Sequence, residues 1–485
     1  MKNKKINKVA VIGSGIMGSG IACHFANIGV EVILLDIVPT KLSDVEIKKG
    51  LNLKDKVVRN RIVDDSLAKA IKSKPSPLYH RNFKNRITTG NLNDDLEKIS
   101  EVDWIIEVVI ENLEIKNQVF TEIEKHRKAG TIITSNTSGI PIKFMNSDRS
   151  EDFQEHFAVT HFFNPPRYLK LFEIVPGPNC KKEVIDFLNM FGEKFLGKTS
   201  VIAKDTPGFI GNRIGNFGIQ DLFHNMKELD LSIEDLDNLT GALIGRPRSA
   251  TFRTVDIVGL DTLARVSNGI YENCTEDECR EVFIIPDFLK KMIENNWLGD
   301  KTGQGFYKKT TDKNGKREIL VLDINSMEYR KRNKTKFDVV GKAKSIEKTI
   351  DRFKVLIKGN DKASEFYKRT LAGLFSYVQN RIPEISDDIY SIDDALKAGF
   401  GWENGPFEVW NSIGIQEGID LMKSYNKKPA KWVEELVNSD TKSFYSINNG
   451  FTYYYDISEK KHLVKPGQES FIILDNIRKT NLVWE

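Results

Sequence analysis

Cysteine is scarce in this chain of 485 residues: there are four, at positions 23, 180, 274 and 279. So few thiols make no disulfide framework and point to a reducing compartment. Cys274 and Cys279 stand close together but have no neighbouring His or further Cys, so no metal site is expected. Long apolar runs are missing as well, which excludes a membrane-spanning helix. The opening MKNKKINK leads straight into a short apolar strand, too brief for the core of a signal peptide, and a cytoplasmic location is expected. Strong charge of one sign is also absent. The 72 basic and 68 acidic residues leave a net +4, which gives no reason to expect a nucleic-acid partner. What is present, 40% hydrophobic and 10% aromatic residues, suits a soluble globular protein of two to four domains.

The first two hundred residues alternate short β-branched runs with longer amphipathic stretches. Val9 to Ile12, Glu31 to Leu35, Trp104 to Glu107, Ile132 to Ser135 and Val159 to Phe163 read as strands, with Lys170 to Val175 and Ser200 to Ala203 as later ones. The alternation predicts an α/β Rossmann-type domain over residues 1–203, a mostly parallel sheet with helices on both faces. From Thr206 onward helical periodicity dominates, as in Ile210 to Leu229 and Ile233 to Leu243, which predicts a helical domain over 204–308. Lys309 to Arg317 is polar, contains Asn314-Gly315 and reads as a turn, so 309–362 is expected to be a linker.

A weak internal repeat follows. Ser232-Ile233-Glu234-Asp235 is matched by Ser391-Ile392-Asp393-Asp394, and Phe252 precedes Gly259 by the seven residues that separate Phe407 from Gly414. The fold expected is therefore the Rossmann-type domain followed by two mainly α-helical domains, the second over 363–440, and a tail over 441–485 with no sign of catalytic chemistry.

The chemistry-bearing residues begin at the first strand. Val9-Ala10-Val11-Ile12 runs into Gly13-Ser14-Gly15-Ile16-Met17-Gly18, which opens a helical run. Gly13 permits the tight turn, Gly15 lets a pyrophosphate approach the backbone and Gly18 lets helix and strand pack closely. The helix start offers unpaired N–H groups to phosphates. Asp36 ends the second strand, where a carboxylate can bind the adenosine ribose hydroxyls and repel a 2′-phosphate, favouring NAD over NADP. A glycine turn with a solvated aspartate is the plainer alternative. Beyond it lie Ser135-Asn136-Thr137-Ser138, His161-Phe162-Phe163-Asn164-Pro165, Lys170-Leu171-Phe172-Glu173-Ile174-Val175, and Lys204-Asp205-Thr206-Pro207-Gly208-Phe209-Ile210-Gly211-Asn212-Arg213.

In order and spacing these motifs resemble the L-3-hydroxyacyl-CoA dehydrogenase family over about residues 6 to 308. The resemblance implies NAD as cofactor, an acyl-CoA substrate and an active site in the cleft between the domains. It implies His161 as general base, Glu173 as the carboxylate that orients it, and Ser138 and Asn212 as holders of the substrate oxygen. It also implies that Glu111, Lys116, Asn164 and Lys301 line the cofactor beside Gly13, Ser14, Gly15, Ile16, Met17, Gly18 and Asp36. In the family a helical hairpin meets the nucleotide end of coenzyme A. Lys48, Lys49, Lys54, Lys56, Arg59, Arg61, Lys69, Lys72 and Lys74 fall in the matching stretch, where a solvated charged face is the alternative. Ser138 and Asn212 have a simpler reading too, as helix caps.

Histidine suits the chemistry independently, since alcohol oxidation by NAD needs a base with a pKa near working pH. Gly245 to Asp256 departs from single-function members and resembles longer fusions with an enoyl-CoA hydratase; no hydratase is expected within this sequence, and a separate one is a possible partner. A monomer or homodimer is expected, the second helical copy replacing part of a dimer contact. Two other functions stay open: a dehydrogenase of a free hydroxy acid or sugar acid, and a non-catalytic NAD-binding scaffold for a separate hydratase.

Overall fold

The computed structural model describes residues 4–312, 314–333, 335–468 and 471–480. The chain forms two compact units that divide after Phe209, six residues beyond the expected boundary, so that the KDTPGF stretch belongs to the first.

Eight strands make the sheet of the first unit: β1 (Lys8–Ile12), β2 (Glu31–Asp36), β3 (Ile87–Asn91), β4 (Trp104–Glu107), β5 (Ile132–Ser135), β6 (Phe157–Phe162), β7 (Leu171–Pro176) and β8 (Thr199–Ile202). Their order is β3-β2-β1-β4-β5-β6-β7-β8. The strands from β3 to β6 in that order are parallel; β7 runs antiparallel to β6, and β8 parallel to β7. Residues 9–12 are buried without alternation, as a strand covered on both faces requires. One face is held by Trp104, which takes Phe25 and Phe191 edge-on at 5.3 and 5.8 Å. Strand β3 is absent from the sequence expectation because Ile87-Thr88-Thr89-Gly90-Asn91 has one strongly apolar residue and earns its place by pairing with β2.

The second unit begins with the Gly211–Leu229 helix, followed by Ile233–Leu239, Phe252–Val258, Leu260–Asn273 and Asp287–Glu294. A three-stranded antiparallel sheet, β9 (Tyr307–Thr311), β10 (Arg317–Asp323) and β11 (Glu328–Arg330), comes next. The helices Asp338–Lys344 and Thr349–Leu356 lead to Lys362–Asn380, Ile389–Phe400, Pro406–Ile413, Ile415–Ser424 and Lys431–Val437. A second antiparallel sheet, β12 (Tyr445–Asn448), β13 (Phe451–Asp456) and β14 (Lys461–Val464), follows.

Three expectations are corrected. The 309–362 stretch is no bare linker: Asn314-Gly315 is the hairpin turn between β9 and β10, and Val321, Leu322, Val340, Phe353 and Leu356 are buried. The 441–485 stretch is no detached tail, because Phe444 packs edge-on against Trp410 at 5.0 Å and Phe407 at 5.1 Å; its residues 469–470 and 481–485 lie outside the described set. The two helical stretches do not form separate domains but lie in one compact unit.

One device occurs in both halves of that unit. Asp237 accepts the backbone N–H groups of Thr251, Phe252 and Arg253 and the hydroxyl of Tyr307, the first residue of β9. Asp393 accepts those of Phe407 and Glu408 and the hydroxyl of Tyr445, the first residue of β12. Each aspartate thus ties a helix start to the sheet that follows. Asp393→Ala leaves two N–H groups and a phenol without their acceptor, so a loss of about 3 kcal/mol in unfolding free energy is expected, measured by urea denaturation.

Candidate active site

The glycine turn shows why each glycine is needed. Gly13 has φ 101°, and a Cβ there would stand 2.7 Å from the Val108 carbonyl oxygen; a Cβ on Gly18 would meet the Gly13 carbonyl oxygen at 1.8 Å. Nothing lies within 4 Å of where a Cβ on Gly15 would stand, so the backbone there is open to a close-lying ligand. Ser14 is buried and braces the turn: its N–H and Oγ both donate to Asp36 Oδ2, at 2.6 and 2.5 Å. Its N–H is therefore engaged within the fold. Ile16 is 76% exposed and Met17 half-buried beside it. Beyond Asp36 a cavity of about 560 Å³ is lined on one side by the apolar Ile37, Leu92, Ile115 and Val119 and elsewhere by polar and charged residues, among them Glu97 and Glu122. An open glycine turn, a carboxylate at the end of β2 and a pocket past it with both apolar and polar walls fit the pyrophosphate, ribose and adenine of a dinucleotide in sequence.

At the same edge of the sheet, β4 ends in a buried ion pair. Glu107 and Lys116 are almost fully buried and meet at 2.8 Å, and Ser135 Oγ donates to the other Glu107 oxygen at 2.6 Å. Glu111 joins Lys116 at 3.3 Å and accepts from Thr137 Oγ1 at 2.5 Å and from the Ser138 N–H at 3.0 Å. Lys116 thus lies under Glu111 and holds the loops after β4 and β5 against each other. Ser138 is exposed, with its Oγ 3.5 Å from Glu111. It caps no helix, since the next one starts after Ile142.

His161 and Glu173 are directly opposite in the β6/β7 pairing, and the reversal of β7 brings residues twelve apart into contact. His161 Nδ1 meets Glu173 Oε2 at 2.6 Å; the histidine is 6% exposed and the glutamate fully buried. The rings of Phe163 and Phe209 flank the imidazole at 4.7 and 5.6 Å. A carboxylate only accepts, so Nδ1 carries the proton and Nε2 is the ring position left for chemistry.

Asn164 stands three residues past His161, in a loop clamped by Lys198, which the sequence reading passed over. Its buried ammonium donates to the Leu169 carbonyl at 2.7 Å and to that of Pro166, and burial pulls its pKa down to about 8. The signal in the sequence is only a lysine between Gly197 and Thr199 at the head of β8. Asn212 and Lys301 belong to the second unit. Asn212 is half-buried in the first turn of the Gly211–Leu229 helix, whose cap is Ile210, so it is no N-cap. Lys301 is bonded to Asp261. Of the basic hairpin residues, Arg59 pairs with Asp94 and Arg61 with Glu46, while Lys48, Lys49, Lys54 and Lys56 are exposed.

Residues 8–206 match the family model for the 3-hydroxyacyl-CoA dehydrogenase NAD binding domain, and residues 208–309 the model for the C-terminal domain of the same enzymes. The chain belongs to the 3-hydroxyacyl-CoA dehydrogenase family. Its first unit is accordingly an NAD-binding domain. A human family member, hydroxyacyl-coenzyme A dehydrogenase, mitochondrial, is 32% identical over 311 residues, 62% of this chain and 91% of that protein. A Bacillus subtilis protein named "Probable 3-hydroxyacyl-CoA dehydrogenase" is 46% identical over 457 residues, 94% of this chain. The chain spans only 57% of that relative's length. The solved 3-hydroxybutyryl-CoA dehydrogenase of Escherichia coli shares the fold at a TM-score of 0.62 and 20% identity, over 89% of this chain and 98% of that one.

Loss of the Asp36 carboxylate removes a charged hydrogen-bond acceptor, worth about 1.5–3 kcal/mol. Asp36→Ala is expected to weaken NADH binding by roughly 10- to 100-fold and to narrow the preference over NADPH, as read by fluorescence titration of both.

Proposed function

We propose that the chain catalyses NAD-dependent oxidation of an L-3-hydroxyacyl-CoA to the 3-oxoacyl-CoA, or the reverse, in fatty-acid or short-chain acyl-CoA metabolism. The buried His161–Glu173 pair is the observation that carries this reading. Glu173 holds the proton of the imidazole on Nδ1, so Nε2 can take a hydroxyl proton from substrate, and the carboxylate stabilises the imidazolium that results. Bound NAD supplies the hydride acceptor. In the reverse direction His161 returns the proton to the developing alkoxide. The Ser138 hydroxyl is exposed at the end of β5 and is assigned to the substrate oxygen, with Glu111 fixing its backbone. Asn212 is assigned the same oxygen on its family motif. Phe163 and Phe209 keep water from the imidazole. Glu111, Asn164 and Lys301 are assigned to the cofactor with the glycine turn and Asp36; Lys116 acts through Glu111. Exposed Lys48, Lys49, Lys54 and Lys56, beside the exposed apolar side chains of Val45, Ile47, Leu53 and Val57, suit the phosphates and pantetheine arm of coenzyme A.

We also infer that the two halves of the second unit are copies of one another. Each has a 19-residue helix, Gly211–Leu229 and Lys362–Asn380, then a shorter helix bearing the latch aspartate, then a helix ending at Gly259 or Gly414 with φ 105° and 113°. Matching Asp237 with Asp393 sets the cap Ser232 against the cap Asp388. This pairing differs by three residues from the one that sets Ser232 against Ser391. Phe217 of one half stacks on Tyr377 of the other at 3.8 Å, which supports a chain that is monomeric. No described helix is long and apolar enough to cross a membrane. All four cysteines are free, in keeping with the cytoplasm.

Acetoacetyl-CoA with NADH should be turned over, while free hydroxy acids with NAD should not; the opposite pattern selects the free-acid reading. His161→Gln should lower kcat by about 10²–10⁴-fold with NADH affinity unchanged. Undiminished turnover would remove the base, and no turnover in the parent protein would favour the scaffold. Light scattering should report one chain per particle.

A further inference from the structure

The first half of the second unit holds a cavity of about 380 Å³ that the proposed reaction does not use. Three carboxylates line it, and each is satisfied by the fold. Asp237 takes three backbone N–H groups and the Tyr307 hydroxyl. Glu234 is bound by Arg330 and the Asn333 N–H. Asp300 is gripped by both terminal nitrogens of Arg253, at 2.8 and 2.6 Å. The cations Arg248, Lys309 and Arg332 also line the cavity; none of them is within ion-pair distance of a carboxylate among the described residues, although Lys309 acts on Asp300 at longer range. Arg332 lies over the Tyr307 ring, 5.2 Å from its centroid. The wall carries four cations, Arg248, Arg253, Lys309 and Arg332, against three carboxylates, with Arg330 behind Glu234, and is therefore net positive.

The second half provides an internal control. Phe407 and Glu408 bond to Asp393 as Phe252 and Arg253 bond to Asp237, so Glu408 stands where the first half has Arg253. Asp394, one residue past the latch, stands where the first half has Asn238. Here the cations are neutralised: Lys397 meets Glu408 at 2.6 Å and Asp394 at 3.1 Å, and Lys465 meets Asp394 at 2.6 Å. The first half has an amide and a cation at these two places. Like charges gathered around an opening repel one another unless an anion joins them.

We propose that this cavity binds a phosphate-bearing anion. Two guanidinium groups present planar donor forks suited to phosphate oxygens, and Lys309 adds a point charge. The Asn238 amide offers a neutral donor on the same wall. The volume falls within the range of small-molecule sites and leaves space beside a phosphate for an attached organic group, with the Tyr307–Arg332 stack and Ile319 as its floor.

Calorimetry on the full chain, saturated with NADH so that the glycine turn is filled, tests this with inorganic pyrophosphate and ADP as separate probes. Saturable binding is expected, weakening as salt rises. The double variant R248A/R332A and, separately, Asn238→Asp should each weaken it by about tenfold or more, with acetoacetyl-CoA turnover unchanged. Asn238→Asp is nearly isosteric and installs the carboxylate that the second half carries at that place. Tighter binding of ADP than of pyrophosphate identifies a nucleotide site, and equal binding a site for phosphate groups alone; both support the proposal. Absence of saturable binding of either probe up to roughly 10 mM, or equal binding in parent and both variants, overturns it. Because binding is read directly, this outcome is independent of whether the dehydrogenase assignment holds.

Discussion

A carboxylate removed wholly from water is costly unless its charge is met at once, and the bond between Glu173 and His161 is what makes the end of this sheet workable. It exists because β7 turns back along β6 in a sheet that is otherwise parallel up to that point. Continuation in parallel would have required a long crossover and would have set the twelve-residue spacing to no use. The turn between the two strands must then be held, and Lys198 does so from the next strand by donating to two of its carbonyls. An imidazole with one nitrogen committed and the other available follows from backbone topology as much as from residue choice.

The neighbouring loops are supported by a second buried pair. Glu107 and Lys116 lie under Glu111, Thr137 and Ser138, so the exposed serine stands on a layered network rather than on a free loop. The substrate role proposed for this hydroxyl would need such backing, since hydroxyls on unbraced loops wander. The glycine turn obeys the same economy from the other direction, by omission: side chains are absent where Val108 and Gly13 crowd the backbone and where Gly15 must stay open.

In the second unit one structural device occurs twice, in different electrostatic surroundings. The latch aspartates Asp237 and Asp393 make matching bonds to a helix start and to the first tyrosine of the following sheet. Around Asp393 the charges close on one another, whereas around Asp237 they stay open beside a cavity. The same set of backbone bonds thus stands in two different side-chain surroundings.

Much of this was legible in the chain itself. Unbroken apolar runs marked β4 and β5 to the residue, and the glycine turn with Asp36 identified a dinucleotide site, because local steric demands leave a local trace. His161 and Glu173, singled out from their motifs, are in contact in the fold. Other features had no local trace. Strand β3 is a strand only because β2 lies beside it, and the segments read as a linker and a tail owe their order to Val321, Phe353 and Phe444 finding buried partners far along the chain. The likeness between Asp237 and Asp393 is equally invisible in the chain, because the hydrogen bonds that reveal it join residues about fourteen to seventy positions apart. Residue types and short spacings lie in the sequence; which side chain is left with an unpaired charge or a free nitrogen is decided only when distant segments pack and use up the rest.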